Sequence, residues 1–221
     1  MEHTARDAII NKPQVGLSAC LAGDDVRYDG GNKYQPLIDQ HLKAHLNLKP
    51  FCPEMAANLG VPRPPVQLVQ VENHTLALGV KSRQLNVTQA LNQSSQTYLK
   101  QQQALHGFIL KSRSPSCGAG STPVHDNLGN PITKGNGLFT AHLLTQFPGI
   151  PVVEEEWLNC GWRCRLFVAC CQLAQSLSDG TEASLLKHTN MNADGAREMF
   201  ANLLTLTQGE ARDFVASMTA N

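Results

Sequence analysis

Short apolar runs alternate along this chain with stretches in which apolar residues recur every three or four positions. Residues 15–19 (VGLSA) predict a strand that runs into a glycine-bearing loop, and DVRYDGGNKY is turn chemistry centred on Asp29-Gly30-Gly31. QPLIDQHLKAHLN reads as a helix entered at Pro36, with Leu37, Ile38, Leu42 and Leu46 on or near one face. LKPFCPEMAANLG predicts a short strand, a loop and a short helix closed by Gly60. VPRPPVQLVQV passes from a proline-rich loop into a strand, and TLALGVKS supplies its hairpin partner. Thr88 is expected to cap a long polar helix reaching about Leu105. GFILK then predicts a buried strand, HDNLGNPITKGNG a turn-rich excursion, GLFTAHLLTQF a helix starting at Gly137, and GIPVVEEEW a last short strand.

Strands alternating with helices predict an α/β fold: a three-layer sandwich on a mostly parallel, Rossmann-like sheet. After Trp157 the pattern is helical throughout. The expected division is therefore a body over residues 1–156 and a C-terminal helical extension over 157–221. Lys plus Arg and Asp plus Glu number 18 each, which argues against a partner recognised chiefly as a polyanion. The first residues contain no apolar signal core, and no apolar run is long enough to span a bilayer. The expectation is a cytoplasmic protein, monomer or homodimer, with no membrane partner.

Seven cysteines change the picture, because a reducing compartment disfavours disulfides. Three follow predicted strands: Cys20 after VGLSA, Cys52 after LKPF and Cys117 after FILK. Loops at the carboxyl ends of parallel strands line one crevice, so thiols remote in sequence can converge. Three converging thiolates can hold an iron–sulfur cluster with one open iron, or zinc with a water; buried inert thiols are the alternative. Gly23, Gly118 and Gly120 would let backbone approach an inorganic group closely.

GLSACLAGDDVRYDGG, FCPE, LKSRSPSCGAG, KGNGLFTAHLL and GIPVVEEE, in this order over residues 14–156, resemble the successive blocks of the DUF523 family, which includes the thiouracil desulfidases. The resemblance implies a [4Fe-4S] cluster held by Cys20, Cys52 and Cys117. It implies an enzyme that removes sulfur from a thiolated pyrimidine base or nucleotide, of the thiouracil or 4-thio-UMP type. The products would be the oxo pyrimidine and hydrogen sulfide, without net redox change. A transfer-RNA 4-thiouridine desulfidase and an iron–sulfur electron carrier or sensor are the alternatives. The family's proline-arginine segment is GVPRPPVQ here, with Arg63 in it.

An attacking water needs a base, for which Glu54 is the first candidate and Asp29 the second. Asp29 can instead cap the Gly30-Gly31 turn. Ser112, with Ser18, Ser114 and Ser116, can hydrogen-bond a ring edge or cluster sulfides, or simply form turns. Lys111 can stabilise developing negative charge. Lys134, Asn136 and Gly137 precede a helix whose N-terminus, helped by Arg27 or Arg113, can take a nucleotide phosphate. Cys160, Cys164 and Cys171 share a helix face, and with Cys170 they are read as core packing or a second metal site.

Overall fold

The computed structural model describes residues 12–179 and 193–219. The chain runs β1 (Gln14–Ser18), α1 (Ala19–Ala22), α2 (Pro36–His41), β2 (Asn47–Phe51), α3 (Pro53–Ala56), β3 (Val66–Val71), β4 (His74–Gly79) and α4 (Thr88–Lys100). It continues through β5 (Phe108–Leu110), β6 (Thr122–His125), β7 (Pro131–Gly135), α5 (Leu138–Gln146), β8 (Val152–Glu154), α6 (Gly161–Ser178), α7 (Ala193–Leu203) and α8 (Gln208–Thr219).

The expected parallel sheet is present, with strand order β2-β1-β5-β8 and every pairing parallel. Side chains alternate across it with the period of two that a pleated strand imposes. Val15, Leu17, Ile109 and Val153 face a core shared with Ile38 and Leu42 near α2 and with Cys164 and Phe167 of α6. Phe108 and Leu110 face the other way, onto Leu99 of α4 and onto Phe139 and Leu143 of α5. These two helix layers enclose the sheet and make the three-layer sandwich. Fully buried side chains of this size each contribute about 1.5–3 kcal/mol. Gly16 sits between them by necessity, since a Cβ there would lie 2.1 Å from the Phe108 ring.

A second four-stranded sheet, β4-β3-β6-β7, was only half foreseen. The β3–β4 hairpin is as expected, but the excursion after Gly120 forms a second antiparallel hairpin, β6–β7. Its turn residues carry a sheet because β6 adds in parallel to β3, a long-range pairing with no local signature. Two helices end early: α2 stops at His41, and α4 at Lys100. Thr88 does not cap α4; its hydroxyl accepts from Ala77 N at 2.8 Å and ties the helix to β4. Beyond Trp157, α6 belongs to the same core as the sheet, while α7 and α8 pack on its far side around Leu166, Cys170 and Phe200. No helix among the described residues is long and apolar enough to cross a membrane.

Candidate functional site

The carboxyl ends of β1, β2 and β5 open into one pocket of about 390 Å³, within the size range of small-molecule sites. Cys20 enters from α1, directly after β1; Cys52 follows β2; Cys117 lies in the loop after β5. All three line the pocket, as do Ser18, Arg27, Glu54, Arg63, Lys111, Ser112, Arg113 and Ser114. Burial pushes the Cys20 thiol up to about 11, with Cys52 adding to the effect. Cys52 is also raised, chiefly by burial. Cys117 is raised too, by burial first, while a hydrogen bond with the Ser18 hydroxyl partly offsets it and Cys52 and Cys20 reinforce it. The thiols thus sense one another, and they would keep their protons unless a cationic group arrived to displace them.

Among the described residues, no three His, Cys, Asp or Glu side chains cluster tightly enough to hold one metal ion. A single tetrahedral zinc would need its thiolates within about 3.8 Å of one another, given Zn–S bonds near 2.3 Å. Three thiols lining one pocket are a donor set that an iron–sulfur cluster takes, each sulfur bonding a different metal.

The loop from Lys111 to Ser121 that carries Cys117 is fastened from every side. Ser114 Oγ accepts from Ser116 N and Cys117 N at 3.3 and 3.1 Å. Thr122 Oγ1 donates to Ser114 O at 2.8 Å, and Ser18 Oγ accepts from Lys111 N at 3.0 Å. The N-terminus of α5 meets the same loop. Gly137 N donates to Gly118 O, Leu138 N to Pro115 O and Phe139 N to Ser116 O, at 2.8–3.0 Å. Thr140 Oγ1 donates to Cys117 O at 2.7 Å. This corrects the phosphate expectation: the first N–H groups of α5 are consumed by loop carbonyls. Lys134 and Asn136 do not line the pocket.

Glu54 is the one carboxylate lining the pocket among the described residues. Its Oε1 accepts from Ser116 Oγ at 2.9 Å, and its Oε2 from Arg63 Nε at 2.8 Å. Arg63, whose side chain is 5% exposed, also donates to Gly60 O at 2.7 Å and Val26 O at 2.9 Å. It therefore staples the segment after Cys52 to the loop after α1, a role the sequence did not disclose. Asp29 is the turn cap: its Oδ1 accepts from Gly31 N at 3.2 Å, that bond holds its carboxyl below the usual range, and it lies off the pocket. Arg27 pairs with it at 3.5 Å and lies against the Tyr28 ring. Arg113, at φ +58°, pairs with Glu156.

Lys111 Nζ and Ser112 converge on Glu155, a partner the sequence reading missed. Lys111 Nζ donates to Glu155 Oε1; Ser112 N donates to Oε2 at 2.6 Å and Ser112 Oγ to Oε1 at 2.9 Å. Alternating signs in LKS and EEE were the available hint, but only the β5–β8 register brings them together. Three of the four tail cysteines belong to the core. Cys164 and Cys171 pack in the α6–sheet cluster and Cys170 against α7 and α8, and Cys160 flanks α6 away from the pocket.

Comparison with known proteins bears on this site. A family model described as 2-thiouracil desulfurase matches residues 15–155. The chain is 32% identical over 154 residues to the uncharacterized protein YbbK of Bacillus subtilis (strain 168), covering 65% of this chain and 96% of that one. It also matches a solved structure described as the [4Fe-4S]-dependent thiouracil desulfidase TudS, with 32% identity and a TM-score of 0.54 over 76% of this chain and 99% of that chain.

Proposed function

Because this chain belongs to the 2-thiouracil desulfurase family, we propose that it is a [4Fe-4S]-dependent desulfidase acting on a small thiolated pyrimidine. The observation that carries the reading is the set of three thiols, Cys20 and Cys117 buried and Cys52 half-buried, lining one pocket beside a single carboxylate among the described residues. Cys20, Cys52 and Cys117 would hold the cluster and leave it one position without a protein ligand. When bound, such a cluster supplies a soft Lewis-acidic iron that suits sulfur and polarises a C=S bond.

The chain's own groups then account for the rest. Water adds to the ring carbon while Glu54 takes its proton. The C–S bond breaks, the C=O bond forms, and sulfur leaves as hydrosulfide, so the sum is thiocarbonyl plus water giving carbonyl plus hydrogen sulfide. Arg63 and Ser116 fix the Glu54 carboxylate in one orientation, and an ionised carboxylate still has lone pairs to spare beyond those bonds. Ser18 offers a polar atom to the ring edge, while Lys111 and Ser112, bound to each other and to Glu155, form a polar wall of the pocket. Residues 1–156 are the catalytic unit in this reading and 157–221 its helical extension.

The test is an anaerobic assay of sulfide release from 2-thiouracil, 4-thiouracil and 4-thiouridine monophosphate by the reconstituted full chain. Turnover of at least one, abolished by Glu54→Ala with the visible spectrum of the cluster retained, is the expected result. A fully iron-loaded chain that releases no sulfide from any of the three would overturn the reading in favour of an electron carrier or sensor.

A further inference from the structure

The last residue of β8 and the two that follow it offer three carboxylates in a row, and each reaches a different part of the Cys117 loop. Glu154 Oε1 accepts from Ala119 N at 2.7 Å and from Ser121 Oγ at 2.5 Å, at the far end of the loop. Glu155, buried, accepts from Ser112 N, Ser112 Oγ and Lys111 Nζ at the near end. Glu156 pairs with Arg113 at the exposed surface, where such a pair contributes little. The carboxylates arrive there because Leu110 is in register with Glu154, so both chains leave the sheet side by side.

The two inner glutamates complement α5 on the opposite side. That helix takes the loop's carbonyls at Pro115, Ser116, Cys117 and Gly118. The glutamates take its N–H groups at Ser112 and Ala119. Between these two grips Cys117 has little freedom left.

We propose that Glu154 and Glu155 are positioning residues for the third thiol, gripping both ends of the loop so that Cys117 stands in its ligand position before any metal arrives. The part that concerns metal retention rests on the function proposed above; the part that concerns the loop does not. The two carboxylates work differently. Glu154 serves as an acceptor for one N–H and one O–H, which a neutral amide oxygen can also receive. Glu155 serves as the counter-charge of Lys111, whose side chain is 13% exposed. An amide there would remove the charge that balances that cation and set its own N–H group against one or two of the three donors.

The experiment compares the parent with E154Q, E154A and E155Q, each as the full chain. In the metal-free proteins, alkylation of each cysteine is followed by mass spectrometry. Cys117 is expected to react several-fold faster in E154A and E155Q and at the parent rate in E154Q; Cys20 is expected to be unchanged in both Glu154 variants, whereas in E155Q it also ionises more easily, because the Glu155 charge helps to raise its pKa. In reconstituted proteins, iron loss to a chelator is expected to be about 10–100-fold faster for E154A and E155Q, the usual cost of removing an outer partner of a metal ligand. Parent-rate alkylation of Cys117 in both E154A and E155Q would overturn the proposal. So would E154Q behaving like E154A, because Glu154 would then act by charge. Failure of the parent chain to take up iron would overturn the metal part together with the desulfidase reading, while the alkylation rates still decide the grip on the loop.

Discussion

Replacing Gly137 by alanine isolates one contact between α5 and the Cys117 loop. Gly137 has φ −62° and ψ 158°, a conformation open to any residue, so alanine meets no backbone strain. Space is the obstacle: a Cβ would lie 2.4 Å from both Ser116 C and Ser116 O and 2.7 Å from Cys117 N. Ordinary contact begins at 3.4 Å, so about 1 Å of movement must come from the helix or the loop. Overpacking of this kind costs about 1–3 kcal/mol. At about 2–4 °C per kcal/mol for a chain of this size, the metal-free protein is expected to melt about 2–12 °C lower. The displaced residue is a neighbour of the proposed ligand, and misplacement by about 1 Å can cost about 100-fold in rate. Melting curves, iron per chain after anaerobic reconstitution, and sulfide release measure the three consequences. Gly31→Ala is the control, since its nearest neighbour is Asp29 Oδ1 at 3.5 Å and its φ is unexceptional. A Gly137→Ala protein that melts with the parent and keeps full iron and turnover would show that the close approach does not shape the site.

Arg63→Ala leaves the Glu54 carboxylate, 13% exposed, without its partner; the expected loss of about 3–5 kcal/mol lowers the melting temperature by about 6–20 °C. The double variant Glu54→Gln/Arg63→Met should recover part of that stability and none of the turnover, as calorimetry and the sulfide assay would report. His106 accepts from Gln14 N at 2.9 Å through Nδ1 and faces Ser178 Oγ at 3.1 Å through Nε2; burial lowers its pKa below 6.5, with Asp179 opposing. The unfolded chain therefore binds the proton more readily, so stability is complete above pH 6.5 and declines as pH falls below it, and urea midpoints at pH 7.5 and 5.5 should converge in His106→Asn. Burial raises Cys164 to about 11 and Cys170 to about 12, so between pH 9 and those values the folded chain holds protons that the unfolded chain releases. Stability should fall from pH 8 to pH 10, less steeply in Cys170→Ala; a urea midpoint independent of pH over that interval would remove the effect.

Much of the architecture is written in local order. Val15 and Leu17, then Phe108, Ile109 and Leu110, then Val152 and Val153 are short apolar runs, and a run of that length between helices is a buried parallel strand. The three cysteines were legible for the same reason, since each follows such a run and parallel strands gather their carboxyl ends. Local signals misled where one residue serves two geometries. Gly135-Asn136-Gly137 reads equally as a phosphate cradle or as a close approach of backbone to backbone, and only the carbonyls of Pro115, Ser116 and Gly118 decide between them.

Amino-acid order alone, then, determined the parallel sheet, its enclosing helices and which sulfurs can share a pocket, because these follow from periodicity and from the one-way connection of parallel strands. Tertiary structure decided who holds what: Glu155 beside Lys111, Glu154 on Ala119, Arg63 between Glu54 and Val26, and β6 beside β3. Most of these partners lie tens of residues apart, and charge or hydrogen-bond complementarity at that separation leaves no period in the chain. It becomes specific only when strand register sets the distance, as Leu110 opposite Glu154 does here.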